Sequence, residues 1–77
     1  MHEQEWLDQF GENLRSMMRE CGYSQRELAD RAGISESAIS RYLNSAQVPK
    51  ATILVNIAYV LDCSLDDLMD FGERVTL

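Results

Sequence analysis

The stretch QRELADRAGISESAISRYLN, residues 25–44, restricts the possible folds of this chain more than any other. Its apolar residues recur at spacings of three and four on both sides of Gly33, which suits two short helices and no strand. Leu28, Ala29 and Ala32 share one face of the first run, and Ala38, Ile39, Tyr42 and Leu43 share one face of the second. Gly33 stands where the chain must turn left-handed, a conformation that costs residues with a Cβ. Ser24 and Glu27 make a capping box that predicts a helix from Gln25 to about Ala32. Ser35 then caps a second helix over Glu36–Leu43. Losing a cap of this kind costs about 0.5–2 kcal/mol. Within the pair, Ala29 is small where the helices cross, Ile34 plugs the corner and Ile39 sets the angle.

The flanks continue the helical period. Trp6, Phe10, Leu14, Met17, Met18 and Cys21 form one stripe of a preceding helix, which Gly22 stops. After the pair, Asn44 and Ser45 end the helix and Pro49 marks a loop. ATILVNIAYVL is apolar nearly all round and is expected to lie at the centre of a small bundle. Ser64 and Asp67 cap a last short helix, SLDDLM. The expected fold class is therefore all-α, a compact five-helix bundle forming one domain over residues 1–77.

Composition limits what such a bundle can do. Hydrophobic residues make up 45% of the chain, enough for a core but marginal at 77 residues. No apolar run approaches the roughly 20 residues of a membrane helix. The opening MHEQEWLDQF is acidic and amphipathic, unlike a targeting peptide, so a soluble cytoplasmic protein is expected. His2 is the only histidine, and Cys21 and Cys63 have no metal-ligand spacing. Ser35, Ser37 and Ser40 have no base at motif spacing, and no Gly-rich phosphate loop exists. Neither a cofactor, a metal nor an enzymatic activity is expected. The two cysteines are expected as reduced, buried thiols rather than as a disulfide.

Two short helices joined by three or four residues around a glycine are the form in which the second helix enters the DNA major groove. The plain alternative is an αα-corner with no role on DNA. In the first reading the outward residues Glu36, Ser37, Ser40 and Arg41 face the bases. The chain from Phe10 to Met69 resembles the phage-repressor and Cro type of helix-turn-helix domain, also called the xenobiotic-response-element (XRE) type. The resemblance runs through FGENLR, GYSQRELA, AGISESAIS and VPKATILVNIAYVLDCSLDDLM in order and spacing. It implies a lambda-repressor-like bundle with the motif in helices 2 and 3. It also implies binding of double-stranded DNA, often as a homodimer, by a transcriptional regulator such as a small repressor.

Carried over by position, the resemblance makes Gln25 a phosphate-gripping residue at a helix start. Glu36, Ser37 and Arg41 match positions that read base edges, flanked by Ser35 and Ser40. Asn44 and Lys50 are placed on phosphates beyond the recognition helix. A guanidinium at Arg41 can pair bidentately with guanine, worth about 1–3 kcal/mol of discrimination. The other reading of Arg41 is a solvated side chain or a partner for Glu36. Glu36 either accepts from a cytosine amino group or merely suits the first turn of its helix. Three positions depart from the pattern. Met18 and Leu43 replace an Arg–Glu pair common in such domains, so the two are expected to touch. Ser45 stands where glycine is common.

The formal net charge of −6 opposes binding to a polyanion, but it is unevenly distributed. Residues 24–50 carry four cations against three carboxylates, whereas five carboxylates lie in residues 1–23 and five more from Asp62 onward. Such a domain binds non-specific DNA weakly and gains from pairing two copies on two half-sites. Phe71, Val75 and Leu77 in the tail either pack on the domain's own core or join a dimer. The competing functional class is a protein-interaction module, or an antitoxin-like regulator, whose acidic surface meets a protein partner.

Overall fold

Serines open three of the helices, and each does so through a side-chain oxygen that takes up a free backbone N–H. The computed structural model describes residues 3–70. Over them it contains α1 (Glu3–Cys21), α2 (Gln25–Ala32), α3 (Glu36–Leu43), α4 (Ala51–Val60) and α5 (Leu65–Leu68). Ser24 Oγ accepts from Glu27 N at 3.1 Å while the Glu27 carboxylate accepts from Ser24 N at 3.2 Å. Ser64 and Asp67 repeat this box at the start of α5, with both bonds at 3.1 Å. Ser35 Oγ accepts from Ala38 N at 3.0 Å and so starts α3. All five helices lie where the spacing of apolar residues and caps placed them.

The helices also share a way of stopping. Gly22, Gly33, Ser45 and Asp62 all turn left-handed, with φ of 73°, 72°, 61° and 52°. In each case the next N–H reaches back over the turn: Tyr23 to Met18 O, Ile34 to Ala29 O, Ala46 to Arg41 O and Cys63 to Ala58 O, all at 3.0 Å. This is the six-to-one bond of the Schellman motif. Two of the four turns therefore use residues with a Cβ, where the left-handed conformation costs about 1–2 kcal/mol. Ser45→Gly is expected to stabilise the domain by about 0.5–1 kcal/mol, the relief of strain exceeding glycine's extra unfolded entropy. The shift of the urea midpoint measures it, and a lower midpoint would refute it.

Phe10, Leu14, Leu28, Ile39, Ile57 and Leu68 are the largest fully buried side chains, and they come from all five helices. Phe10 and Tyr42 meet edge to face, ring centres 6.5 Å apart and planes at 72°, tying α1 to α3. Met18 and Leu43 both enter this core, 6% and 7% exposed. Both positions, which the resemblance pairs, are thus apolar and buried in the same core. Among the described residues, no buried side-chain polar atom lacks a hydrogen bond.

Two expectations need correction. The helix ATILVNIAYV is not central: it buries Ile57 and Ala58, half-buries Ile53, Leu54 and Val60, and leaves Val55 and Tyr59 51% and 76% exposed. The reason is size, since a domain this small has no further layer to cover the outer side of its fourth helix. Cys21 likewise lies exposed at the end of α1, and Cys63 is half-buried; neither is a sealed core thiol. The expected roles of Phe71, Val75 and Leu77 fall outside the described residues.

Candidate nucleic-acid interface

The inner face of α3 is used up by Ala38, Ile39, Tyr42 and Leu43, which fixes what its outer face presents. Glu36, Ser37, Arg41 and Asn44 are exposed there, and Ser40 is half-exposed beside them. Helical spacing joins them into two rows. Arg41 Nη1 donates to Ser37 Oγ at 3.1 Å, and Asn44 Nδ2 donates to Ser40 Oγ at 3.3 Å. Arg41 also donates from Nε to Gln47 Oε1 at 3.2 Å. Both oxygens that hold the guanidinium are neutral, so neither offsets its positive charge. Glu36, one reading of which made it Arg41's partner, does not take that place.

Gln47 was not legible as part of this surface from the motif. It lies beyond the helix, in a loop whose direction no periodicity reveals. The left-handed Ser45 and the bond from Ala46 N to Arg41 O fold that loop back over the last turn of α3. Gln47 is thereby returned to the guanidinium four residues after the helix has ended. The one signal in the sequence was a residue with positive φ at 45, which a serine conceals.

The other expected contact residues lie at helix starts. Gln25 is half-buried in the first turn of α2, directly after the Ser24 cap. Ser35 is exposed, but its Oγ is engaged in capping, which leaves its hydroxyl proton to donate outward. Lys50 is exposed at the N-terminal boundary of α4, a boundary without a side-chain cap. Gln25 and Lys50 thus stand at the starts of two helices, where backbone N–H groups and the helix dipole favour anions.

The position of α3 depends on α1, which holds its C-terminal end. Arg15 Nη2 donates to Leu43 O at 3.4 Å, and Gln4 Nε2 donates to Ser45 O at 3.3 Å. Between them, Gly11 packs so closely that a Cβ there would lie 3.1 Å from Tyr42 O and 3.2 Å from Leu43 O. The acidic first helix therefore contributes cationic and amide donors, and a glycine, to the end of α3. Elsewhere Arg31 lies over the Tyr23 ring at 5.1 Å and fastens the end of α2 to the preceding turn. Among the described residues no group of three or more His, Cys, Asp or Glu gathers as a metal site. None of the helices described is long and apolar enough to cross a membrane.

Comparison with known proteins agrees with this geometry. A family model described as helix-turn-helix matches residues 14–68. The chain is 35% identical over 68 residues to the uncharacterized HTH-type transcriptional regulator YqaE of Bacillus subtilis (strain 168), covering 86% of this chain and 59% of that protein. The chain is thus shorter than the relative it matches. Among solved structures, the SinR protein–SinI protein complex superposes with a TM-score of 0.78 at 30% identity, over 88% of this chain and 67% of that one. The restriction-modification controller protein C.AhdI from Aeromonas hydrophila superposes with a TM-score of 0.77 at 26% identity, over 80% and 94% of the two chains.

Proposed function

The chain belongs to the helix-turn-helix family, and on that footing we propose that it is a transcriptional regulator that reads double-stranded DNA with α3 in the major groove. The observation that carries this reading is the outer face of α3. There Arg41 is exposed, charged and oriented by Ser37 and Gln47 through neutral bonds. Arg41 reads guanine, Glu36 and Ser37 meet neighbouring base edges, and Ser35 and Ser40 line the approach. Gln25, Asn44 and Lys50 grip phosphates on either side.

Two copies act together in this proposal. Self-association is supported by α4, which carries no charged side chain between Ala51 and Val60 and exposes Val55 and Tyr59. Copies of a chain with net charge −6 repel least across such a face. Pairing also doubles the few cations that each copy offers to phosphate. Because each copy offers so few cations, the salt slope of binding stays shallow even for the pair.

The test is selection of binding sites from a random duplex library at low salt, with stoichiometry measured on the enriched sequence. The expected outcome is an inverted repeat bound by two chains, with a guanine in each half-site. No enrichment by folded protein would favour the protein-interaction reading. A single half-site bound by one chain would remove the dimer and keep the regulator.

A further inference from the structure

Cys21 and Cys63 are far apart in the sequence, with the whole helix-turn-helix between them, but the fold brings them to one place. The Cys21 thiol at the end of α1 donates to Leu61 O, with sulfur and oxygen 3.3 Å apart. Leu61 is buried and ends α4; Asp62 then turns left-handed, and Cys63 N bonds back to Ala58 O at 3.0 Å. That turn sets Cys63 against the core just two residues beyond the carbonyl that Cys21 engages. Both thiols are free, Cys21 exposed and Cys63 half-buried. We propose that Cys21 and Cys63 are an oxidisable pair that closes to an intramolecular disulfide, clamping the end of α1 to the turn between α4 and α5.

The environments assign the two steps. Cys21 is the exposed member; it loses its proton to solvent and, as the thiolate, attacks a small disulfide such as oxidised glutathione. Its sulfur bonds to one glutathione sulfur and the other leaves as a thiolate. Cys63 then loses its proton to solvent and attacks the Cys21 sulfur, which releases the second glutathione. The two cysteines together lose two electrons, and the glutathione disulfide gains them. Burial holds the Cys63 thiol above its ordinary value, helped by the Asp67, Cys21 and Asp62 charges. Cys21's influence is itself a mark of the proximity of the two groups. Closing therefore quickens as pH rises.

The closed bond would enclose α2, α3 and α4 in a covalent loop without touching the outer face of α3. It constrains the unfolded chain and leaves the DNA-facing side chains where they are. The inference stands independently of the proposed function.

The test treats the reduced chain with oxidised glutathone at mildly alkaline pH. Free thiols, intact mass, non-reducing electrophoresis and thermal melting are then recorded. The expected result is a monomer with no titratable thiol, a mass lower by about two units, and a melting midpoint raised on the order of 10 °C. Dithiothreitol should reverse the rise, and Cys21→Ser and Cys63→Ser should each abolish it. A persistent glutathione adduct on Cys21, a disulfide-linked dimer, or two unreacted thiols would overturn the proposal. So would an intramolecular bond that lowers the midpoint, since the clamp would then have to distort the fold.

Discussion

Arg41→Ala is expected to weaken binding to the selected operator about 10- to 100-fold, corresponding to about 1–3 kcal/mol. The loss should fall on sequence discrimination as much as on affinity. In the wild type, wrong bases opposite Arg41 leave a guanidinium poorly paired; without Arg41, the guanine position becomes tolerant. Because Arg41 is exposed and bonds only to Ser37 and Gln47, thermal stability should change little. Fluorescence titration against the operator and against single-base variants separates the possibilities. Uniform weakening over all sequences, with the salt slope reduced by about 1, would make Arg41 a phosphate contact instead. Unchanged affinity would remove it from the interface. Gln47→Ala provides the finer measure. It leaves the guanidinium in place but removes one of its two supports, so a smaller loss in the same direction is expected.

The second large effect concerns a residue that touches no DNA in this scheme. Gly11→Val should cost about 1–3 kcal/mol of stability, lowering the melting midpoint by roughly 10 °C. The Cβ alone would sit 3.1 Å from Tyr42 O, 3.2 Å from Leu43 O and 3.4 Å from Ser45 Oγ. The first two are backbone atoms at the end of α3 and cannot rotate away as a side chain can, and valine adds two methyl groups beyond that point. Relief requires α1 and the end of α3 to separate, which also strains the bonds from Arg15 and Gln4 to the same end. Operator affinity should therefore fall even at temperatures where the variant is fully folded. A variant with wild-type stability would mean that the helices part at no cost. One that is destabilised but binds normally would uncouple α1 from the reading helix.

These two residues mark the division between local and distant information. Arg41 was readable as an outward-facing residue because everything that exposes it is local. The period of Ala38, Ile39, Tyr42 and Leu43 assigns the inner face of α3, and what remains must face outward. Ser24, Ser35 and Ser64 caps and the Gly22 and Gly33 turns are local in the same sense, since each involves residues within five positions. The starts of α2, α3 and α5 followed from such short-range patterns, whereas the helix-turn-helix family followed from the resemblance of the whole string from Phe10 to Met69. The tertiary structure decided what depends on elements meeting: the closeness of Gly11 to the α3 carbonyls, the return of Gln47 to Arg41, and the meeting of Cys21 with the α4–α5 turn. It also decided which side of α4 is covered, because a helix apolar all round carries no periodic signal of its own orientation. Local periodicity and capping chemistry specify where helices begin, end and turn; only packing specifies which surfaces are left exposed and which distant residues become neighbours.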